Sequence, residues 1–223
     1  MSSGIDDTEV APAASRRSAD VTARARIRDA AMGLFAEFGF RATTMRAIGL
    51  RAGVSAALVV HHFGSKEGLR EAIDDHLADQ IRQDKFAAMT GNLMPNEREM
   101  RNYAEQFAPA MAYLARALTE NTVVGRHLYD RLYRDSVDYL QAGVDAGLIR
   151  PTSEPEARAA ALLNAGLGQT LLQHHLQRAL GSEDQTDALM QIARPMIDLY
   201  TDGLFTDQRI RDSWNPPPTD EET

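Results

Sequence analysis

No cysteine occurs among the 223 residues of the chain, which excludes disulfides, thiolate chemistry and cysteine-based metal sites. No apolar run approaches the roughly 18 residues that a membrane-spanning helix requires. The first 15 residues are acidic and lack the apolar core of a secretory signal. These absences predict a cytoplasmic protein with no membrane partner.

Strand patterns are almost absent as well, because β-branched residues never alternate with polar residues over a useful length. Helical spacing runs through most of the chain and predicts an all-α fold of about nine helices. The predicted helices cover Val21–Phe38, Met45–Arg51, Ala56–His62, Lys66–Met89, Glu97–Phe107, Pro109–Thr119, Thr122–Ala146, Glu154–Leu180 and Gln185–Phe205. The N-terminal arm 1–19 and the acidic tail 207–223 have the composition of disordered segments.

Charge is divided unevenly along the chain. The net charge is −8, yet residues 16–70 carry ten basic and four acidic residues. From residue 71 onward, 14 basic residues face 25 acidic ones. A basic module attached to an acidic body suits a polyanion partner, although chance clustering would give the same pattern.

Residues 45–62 fit a helix-turn-helix, a unit that normally lays its second helix in the DNA major groove. Gly53 stands in the turn, which requires the positive φ that glycine adopts without strain. Gly49 stands where the two helices cross, and its missing side chain permits a close approach. Thr44 and Ser55 are the predicted N-caps. The shared core is predicted to consist of Ile48, Ala52, Val54 and Val59.

Lys66 opens the following helix, where a cation opposes the helix dipole by roughly 0.3–1 kcal/mol. An ammonium group beside free helix N–H groups is favourable if an anion such as a DNA phosphate binds there. The alternative is a solvated side chain without a partner. Beside a helix-turn-helix, the phosphate is the favoured interpretation.

The stretch "TTMRAIGLRAGVSAALVVHHFGSKEGL" closely resembles the DNA-binding region of the tetracycline-repressor (TetR) family of bacterial regulators. The match extends over about residues 25–77 and is specific, because many fixed spacings agree together. The resemblance implies a three-helix DNA-binding domain at 20–66 and a larger helical domain at 67–206. In the family, the larger domain binds a small molecule and dimerises, and the dimer binds a palindromic operator in double-stranded DNA.

Two positions depart from the family pattern, since Ala57 replaces the usual glycine and Val60 replaces the usual tyrosine. Base contacts would then depend on Arg46, which can pair with guanine, and on His61. The apolar residues Ala56, Ala57 and Val60 can contact thymine methyl groups. By resemblance, phosphates would be held by Thr44, Ser55, His62 and Lys66. For His62 the alternative is a helix-terminal residue packed on Phe63.

Basic residues also precede and open the first helix. Four arginines could reach the minor groove or the DNA backbone, namely Arg16, Arg17, Arg24 and Arg26. For each of them a solvated surface position is the alternative.

Apolar and polar residues share helical stripes over 103–118 and 127–134, as expected for a small-molecule pocket. The stripes include Leu118 and Tyr129, and the polar residues Asn164 and Gln169 interrupt an otherwise apolar helix. The predicted ligand-binding residues are Phe107, Met111, Leu114, His127, Arg131, Tyr133, Asn164 and Gln169. Ordinary core packing is the alternative for each apolar member, while the partner of a buried amide could be ligand, water or a second subunit.

Small residues on the Glu154–Leu180 helix allow another helix to approach closely. By resemblance, this helix and the Asp187–Phe205 segment would form a four-helix homodimer interface, and Pro195 should kink the latter. The predicted interface residues are Ala165, Gly166, Gly168, Leu172, Ile192, Met196 and Leu199.

Three function classes remain open at this point. The first is a dimeric repressor released from its operator by a small molecule, and the second is a related activator or a regulator without a ligand. The third class is an enzyme, but the sequence contains no evident nucleophile–base pair or metal-binding cluster. The adjacent pairs His61–His62 and His174–His175 are not convincing metal sites because they lack carboxylate partners at helical spacing. We therefore expect no enzyme activity, no metal and no cofactor. The uninterrupted Lys66–Met89 helix is the expected mechanical link between the two domains.

Overall fold

The computed structural model describes residues 13–91, 96–120 and 122–204, with side chains from Asp20 onward. Within these ranges the chain forms α-helices and no strand, which confirms the all-α prediction. The helices are α1 (Ala13–Phe38), α2 (Met45–Ala52), α3 (Ala56–Phe63), α4 (Lys66–Met89), α5 (Glu97–Thr119), α6 (Val123–Asp145), α7 (Pro155–Leu171), α8 (Gln173–Leu180) and α9 (Gln185–Thr201). Among the described residues no helix is long and apolar enough to cross a bilayer.

Side-chain caps explain where the short helices begin. The Thr44 hydroxyl accepts from Ala47 N at 3.1 Å, and the Ser55 hydroxyl accepts from Leu58 N at 3.1 Å. Both caps were predicted and are confirmed. Because each satisfies an amide that the helix leaves unpaired, replacing it with alanine typically destabilises the helix by about 1 kcal/mol.

Helix α1 ends as predicted but begins earlier. Gly39 follows its last residue with φ of 84°, and the Gly39 N–H donates to Phe35 O at 3.0 Å. The first turn starts at Ala13 rather than Val21, so residues 13–19, predicted to be disordered, belong to the helix. Alanine and arginine dominate this stretch, and both favour helix. The rest of the predicted arm, 1–12, and the predicted tail 207–223 lie outside the described residues.

Three other helix boundaries differ from the prediction, one of which is the end of α9 at Thr201 rather than Phe205. Pro109 was expected to separate two helices but lies inside α5. Its ring lies on the exposed side, where water can satisfy the carbonyl that lost its partner, while Phe107 and Ala110 hold the helix against the core. The predicted Glu154–Leu180 helix is interrupted at Leu172, after two glycines that weaken the last turns of α7.

The described residues divide into two compact units, one ending at Leu172 and one beginning at Gln173. In the first, α1 packs on α2, α3, α4 and α5, and α4 packs along α6. The main core of this unit is one contiguous cluster of side chains, to which each of the helices α1 to α7 contributes. No gap in packing therefore separates the helix-turn-helix from α4–α7. In the second unit, α8 packs against α9.

A buried carboxylate lies between α4 and α5. Asp74 is 8% exposed, and the Tyr113 hydroxyl donates to Asp74 Oδ1 at 2.5 Å. Burial raises the pKa of Asp74 to about 6, although this hydrogen bond and Arg70 oppose the shift. The folded protein therefore holds a proton on Asp74 between about pH 4 and 6 that the unfolded chain has released.

Asp74 should make the folded state more stable as the pH falls from about 7 to about 4, because the raised pKa favours the protonated form in the folded state. The expected contribution is up to about 3 kcal/mol. Urea unfolding of the native chain and of Asp74→Asn at several pH values measures it: the stability of the native chain should rise relative to the variant as the pH falls. Glu67→Gln, also exposed on α4, is the matched control. A pH-independent difference between native chain and Asp74→Asn would contradict the assignment.

Candidate nucleic-acid interface and ligand cavity

The turn between α2 and α3 has the geometry expected of a helix-turn-helix. Gly53 has φ of 67°, and the Val54 N–H donates to Gly49 O at 2.9 Å. A Cβ on Gly49 would lie 2.9 Å from Val54 O, so any side chain there would collide with the turn. The predicted roles of both glycines are confirmed.

One face of this unit is open to solvent. Ile48, Ala52 and Val59 are buried in the core that α1 and α4 share with α2 and α3. The opposite side exposes Thr44, Arg46, Ser55, Ala57, Val60 and His61, while Ala56 is half-buried. The adjacent valines thus divide their roles, since Val59 is fully buried and Val60 is 47% exposed.

The exposed face suits an anion electrostatically. Thr44 and Ser55 lie at helix N-termini, where unpaired amides carry a positive partial charge. Neither first turn contains an acidic residue. Phosphate oxygens are therefore favoured next to both ends.

Lys66 does not occupy the position predicted for it. Its Nζ donates to Phe40 O at 2.9 Å, to Thr43 O at 3.0 Å and to Arg41 O at 3.5 Å. The ammonium also lies 4.5 Å from the centroid of the Phe40 ring. Its three donors are satisfied by the loop between α1 and α2, so the prediction that this side chain holds a phosphate is corrected.

His62 is also turned inward. Its side chain is 6% exposed, and Nε2 lies 3.4 Å from Asp20 Oδ1. The imidazole lies beside Phe63, with ring centroids 6.1 Å apart. The alternative interpretation, a helix-terminal residue packed on Phe63, agrees with this geometry, and the predicted phosphate contact does not.

The arginines of α1 are only partly described. Arg24 is exposed, with its guanidinium carbon 5.0 Å from the centroid of the Phe63 ring, and Arg26 is exposed too. The side chains of Arg16 and Arg17 lie outside the described part of the chain. Their contact with DNA stays a prediction.

A cavity of about 490 Å³ opens between the end of α5, the start of α6 and the end of α7. Its lining residues are Leu118, Gly125, Arg126, Tyr129, Asp130, Asn164, Leu167, Gly168 and Leu171. The Asn164 amide donates to Tyr129 OH at 3.0 Å and to Ala160 O at 2.8 Å. The lining thus combines three leucines with several polar side chains, a composition suited to an amphipathic small molecule.

Of the predicted ligand-binding residues, Asn164 lines this cavity and the others lie elsewhere. Phe107, Met111 and Leu114 belong to the main core, and Tyr133 packs against a smaller core around Tyr139 and Leu140. His127 is exposed, and Gln169 is half-buried outside the lining. Arg131 bridges Asp75 and Asp79 of α4, the latter at 2.7 Å, so its charge joins α6 to α4.

The prediction missed Gly125, Arg126, Asp130, Leu167 and Leu171 as lining residues. Tyr129 and Asp130 follow Arg126 by three and four residues, so the three side chains share one face of a helix. That spacing was a usable signal, but the chosen face began one residue later, at His127. Gly168, predicted for the dimer interface, also lines the cavity, and its role in an interface stays a prediction.

The remaining predicted interface residues differ in exposure. On α7, Ala165, Gly166 and Leu172, the residue that ends the helix, are exposed, and a Cβ on Gly166 would meet no atom within 4 Å. On α9, Ile192 and Met196 are half-buried and Leu199 is exposed. Pro195 lies within α9. Their role in an interface stays a prediction.

Comparison with known proteins gives consistent matches at both ends of the chain. Residues 27–73 match the family model for bacterial regulatory proteins of the tetR family, and residues 105–206 match a tetracyclin repressor-like C-terminal domain. The HTH-type transcriptional regulatory protein RaaS of Mycobacterium tuberculosis is 41% identical over 202 residues, covering 89% of this chain and 94% of the relative.

More distant matches agree with these. The HTH-type transcriptional regulator BetI of Burkholderia mallei is 29% identical over 191 residues, covering 78% of this chain and 91% of BetI. The solved structure of a SmeT–triclosan complex has a TM-score of 0.56 at 21% identity, covering 88% of this chain and 99% of SmeT. At that identity the likeness concerns the fold.

Lys66→Met should lower the free energy of unfolding by at least about 2 kcal/mol, because it leaves loop carbonyls without their charged donor. Chemical denaturation measures the loss. Arg46→Met is the matched control, since Arg46 is exposed on the same unit, and its effect should stay within about 0.5 kcal/mol. Equal stability of Lys66→Met and the native chain would show that the three carbonyl contacts contribute nothing.

Proposed function

This chain belongs to the TetR family of bacterial transcriptional regulators, and we propose that it is a homodimeric repressor released from a palindromic operator by a small molecule. It is a DNA-binding regulator and not an enzyme. The observation that carries the finer proposal is the exposed α2–α3 face, which begins at two capped helix N-termini without acidic residues. Its place of action is the bacterial cytoplasm, on the nucleoid when bound to DNA.

The DNA contacts divide into two groups. Thr44 and Ser55, with the amides of the helix ends they cap, bind phosphates and set the position of the dimer. Arg46 and His61 contact base edges, while Ala57 and Val60 contact thymine methyl groups. Lys66 and His62 are left out of both groups because Lys66 Nζ donates to carbonyls of the α1–α2 loop and the His62 side chain is buried. With few hydrogen-bonding groups on α3, sequence preference depends strongly on Arg46.

Dimerisation is proposed because α7 and α9 expose small and apolar residues to solvent in the single chain. On α7 the small residues Ala165 and Gly166 leave room for a second helix. On α9 the apolar side chains Ile197, Leu199 and Tyr200 are exposed. Two recognition helices about 34–36 Å apart can enter successive major grooves on one side of the DNA. A palindromic operator follows from that symmetry.

The effector is proposed to bind in the cavity between α5, α6 and α7. A volume of about 490 Å³ lies within the usual range of roughly 300–1,000 Å³ for small-molecule sites. Leu118, Leu167 and Leu171 would take the apolar part of the effector. Tyr129 and Asn164 would take a polar group, since the Tyr129 hydroxyl accepts from Asn164 and keeps its own proton to donate. The solved SmeT structure holds triclosan, which supports a small-molecule role for this fold.

Arg46→Ala should weaken binding to the operator by about 1–3 kcal/mol and relax the preference at one base pair in each half-site. The operator is first selected with the native chain from a random DNA pool, and titrations against single-base variants then measure affinity and preference. Arg51→Ala is the matched control, because Arg51 lies on the same helix with its guanidinium donating to Glu37. If Arg46→Ala kept the full base preference, the proposed base contact would be wrong.

Gly166→Glu should give monomers in light scattering and should abolish operator binding, because a charge would enter the closely packed centre of the dimer interface. Ala157→Glu, also exposed and on α7, should leave a dimer that binds normally. A Gly166→Glu chain that stayed dimeric would place the interface on another surface.

A further inference from the structure

Between the cavity and the DNA-binding helices lies the last turn of α5, which contacts the C-terminus of α1. Arg116 Nη1 donates to Ala36 O at 3.2 Å and to Glu37 O at 3.3 Å. These carbonyls belong to the end of a helix, where no further turn can satisfy them and where a cation is favoured. Arg116 thus caps α1 from another part of the chain.

The chain is shaped to receive this guanidinium. A Cβ on Gly39 would lie 2.7 Å from Arg116 Nη2, and the φ of 84° at Gly39 is one that other residues rarely adopt. Glycine at this position therefore does two things: it ends α1 and leaves space for Arg116.

Glu120 extends the contact to α4. Its carboxylate lies 3.7 Å from Arg116 Nε and 3.5 Å from Nη1 of the buried Arg70. The Arg70 guanidinium in turn lies 5.0 Å from the centroid of the Phe40 ring, in the loop that leads to α2. The end of α5 consequently contacts or pairs with the end of α1, the start of α4 and, through Arg70, the loop between α1 and α2.

The same turn forms a wall of the cavity. Leu118 lines the cavity and stands two residues after Arg116. Successive helical residues are about 100° apart, so the two side chains point to nearly opposite sides of α5. On the cavity side, Gly125 of α6 packs so closely that a Cβ would lie 2.5 Å from Ala117 O. Because Leu118 and Arg116 lie on the same helical turn, a molecule that displaces the backbone at Leu118 also displaces Arg116.

We propose that Arg116 is the residue through which occupancy of the cavity changes the position of α1 and, with it, of the DNA-binding face. The inference rests on the proposed function, because it takes the cavity as the effector site. An occupant binds better when the last turn of α5 is displaced and Arg116 leaves the α1 carbonyls. Occupancy then shifts the population away from the DNA-binding arrangement. The α4 helix, expected from the sequence to be the link, contributes no residue to the cavity lining.

The absence of cysteine allows the cavity to be filled covalently. In Leu171→Cys the single thiol reacts with benzyl methanethiosulfonate, which places a benzyl group on a disulfide tether and releases methanesulfinate. Leu171 lines the cavity and is 39% exposed, so the reagent can reach it. Asp130→Cys on α6 is a second attachment point, and Ser153→Cys, exposed before α7, is the control outside the cavity. Light scattering checks that each labelled chain keeps the oligomeric state of the unlabelled one.

Affinity for the selected operator is measured before labelling, after labelling and after reduction of the tether. Labelling in the cavity should weaken binding by about 5- to 150-fold, the usual range for coupled sites, and reduction should restore it. The Ser153→Cys label should change the affinity less than twofold.

In an Arg116→Met background, unlabelled protein should already bind the operator more weakly, and the cavity label should add less than a twofold loss. Arg116→Lys, which keeps one cationic donor, should retain an intermediate response.

A merely structural Arg116 would lower stability without changing the response to the label. If the label weakened operator binding by the same factor in the native and Arg116→Met backgrounds, the inference would be overturned and the effector site would stand. If the label had no effect at either attachment point while the unlabelled chain bound its operator, the cavity would not be the effector site and both proposals would fall. Weaker binding by Glu120→Gln with a reduced response to the label would further support the role of the α5 turn.

Discussion

Helices α2 and α3 have eight residues each, and two such helices cannot bury a core by themselves. Everything about the DNA-binding face therefore depends on their packing between α1 and α4. Ile27, Ile48, Val59 and Leu69 meet in that core and are fully buried. Because the same core continues into α5 and α6, the position of the exposed face is mechanically tied to helices that line the cavity.

Several basic side chains that could bind anionic ligands instead form hydrogen bonds or ion pairs within the protein. Lys66 binds the carbonyls of the α1–α2 loop, and Arg116 binds those at the end of α1. Arg131 joins α6 to two aspartates of α4. For Lys66 and Arg116 the reason is that helix ends and loops leave carbonyls unpaired, and burying them without a donor is unfavourable. Lys66 and Arg116 thereby hold the helices of the DNA-binding domain in place, while Arg46 stays exposed to solvent.

The cavity and the exposed α2–α3 face are connected through continuously packed helices rather than through a flexible linker. The last turn of α5 lies between the cavity and α1, with Leu118 on the cavity side and Arg116 on the α1 side. The alternative connection through α4 is also present, since Arg131 of α6 bridges Asp79. The two connections differ in distance from the cavity: Leu118 is part of its wall, whereas Arg131 lies one residue beyond the lining residue Asp130.

The sequence alone determined the features that depend on neighbours within a few residues. The caps at Thr44 and Ser55, the positive φ of Gly53 and the close approach at Gly49 all follow from local backbone geometry, as does the helical character of the chain. Only the tertiary structure decided the partners of Lys66, which lie 23 to 26 residues away, and the inward position of His62. It also kept Pro109 within one helix and placed the cavity at the ends of three helices. Local spacing shows which face of a helix is apolar, but which element that face meets depends on packing over the whole core.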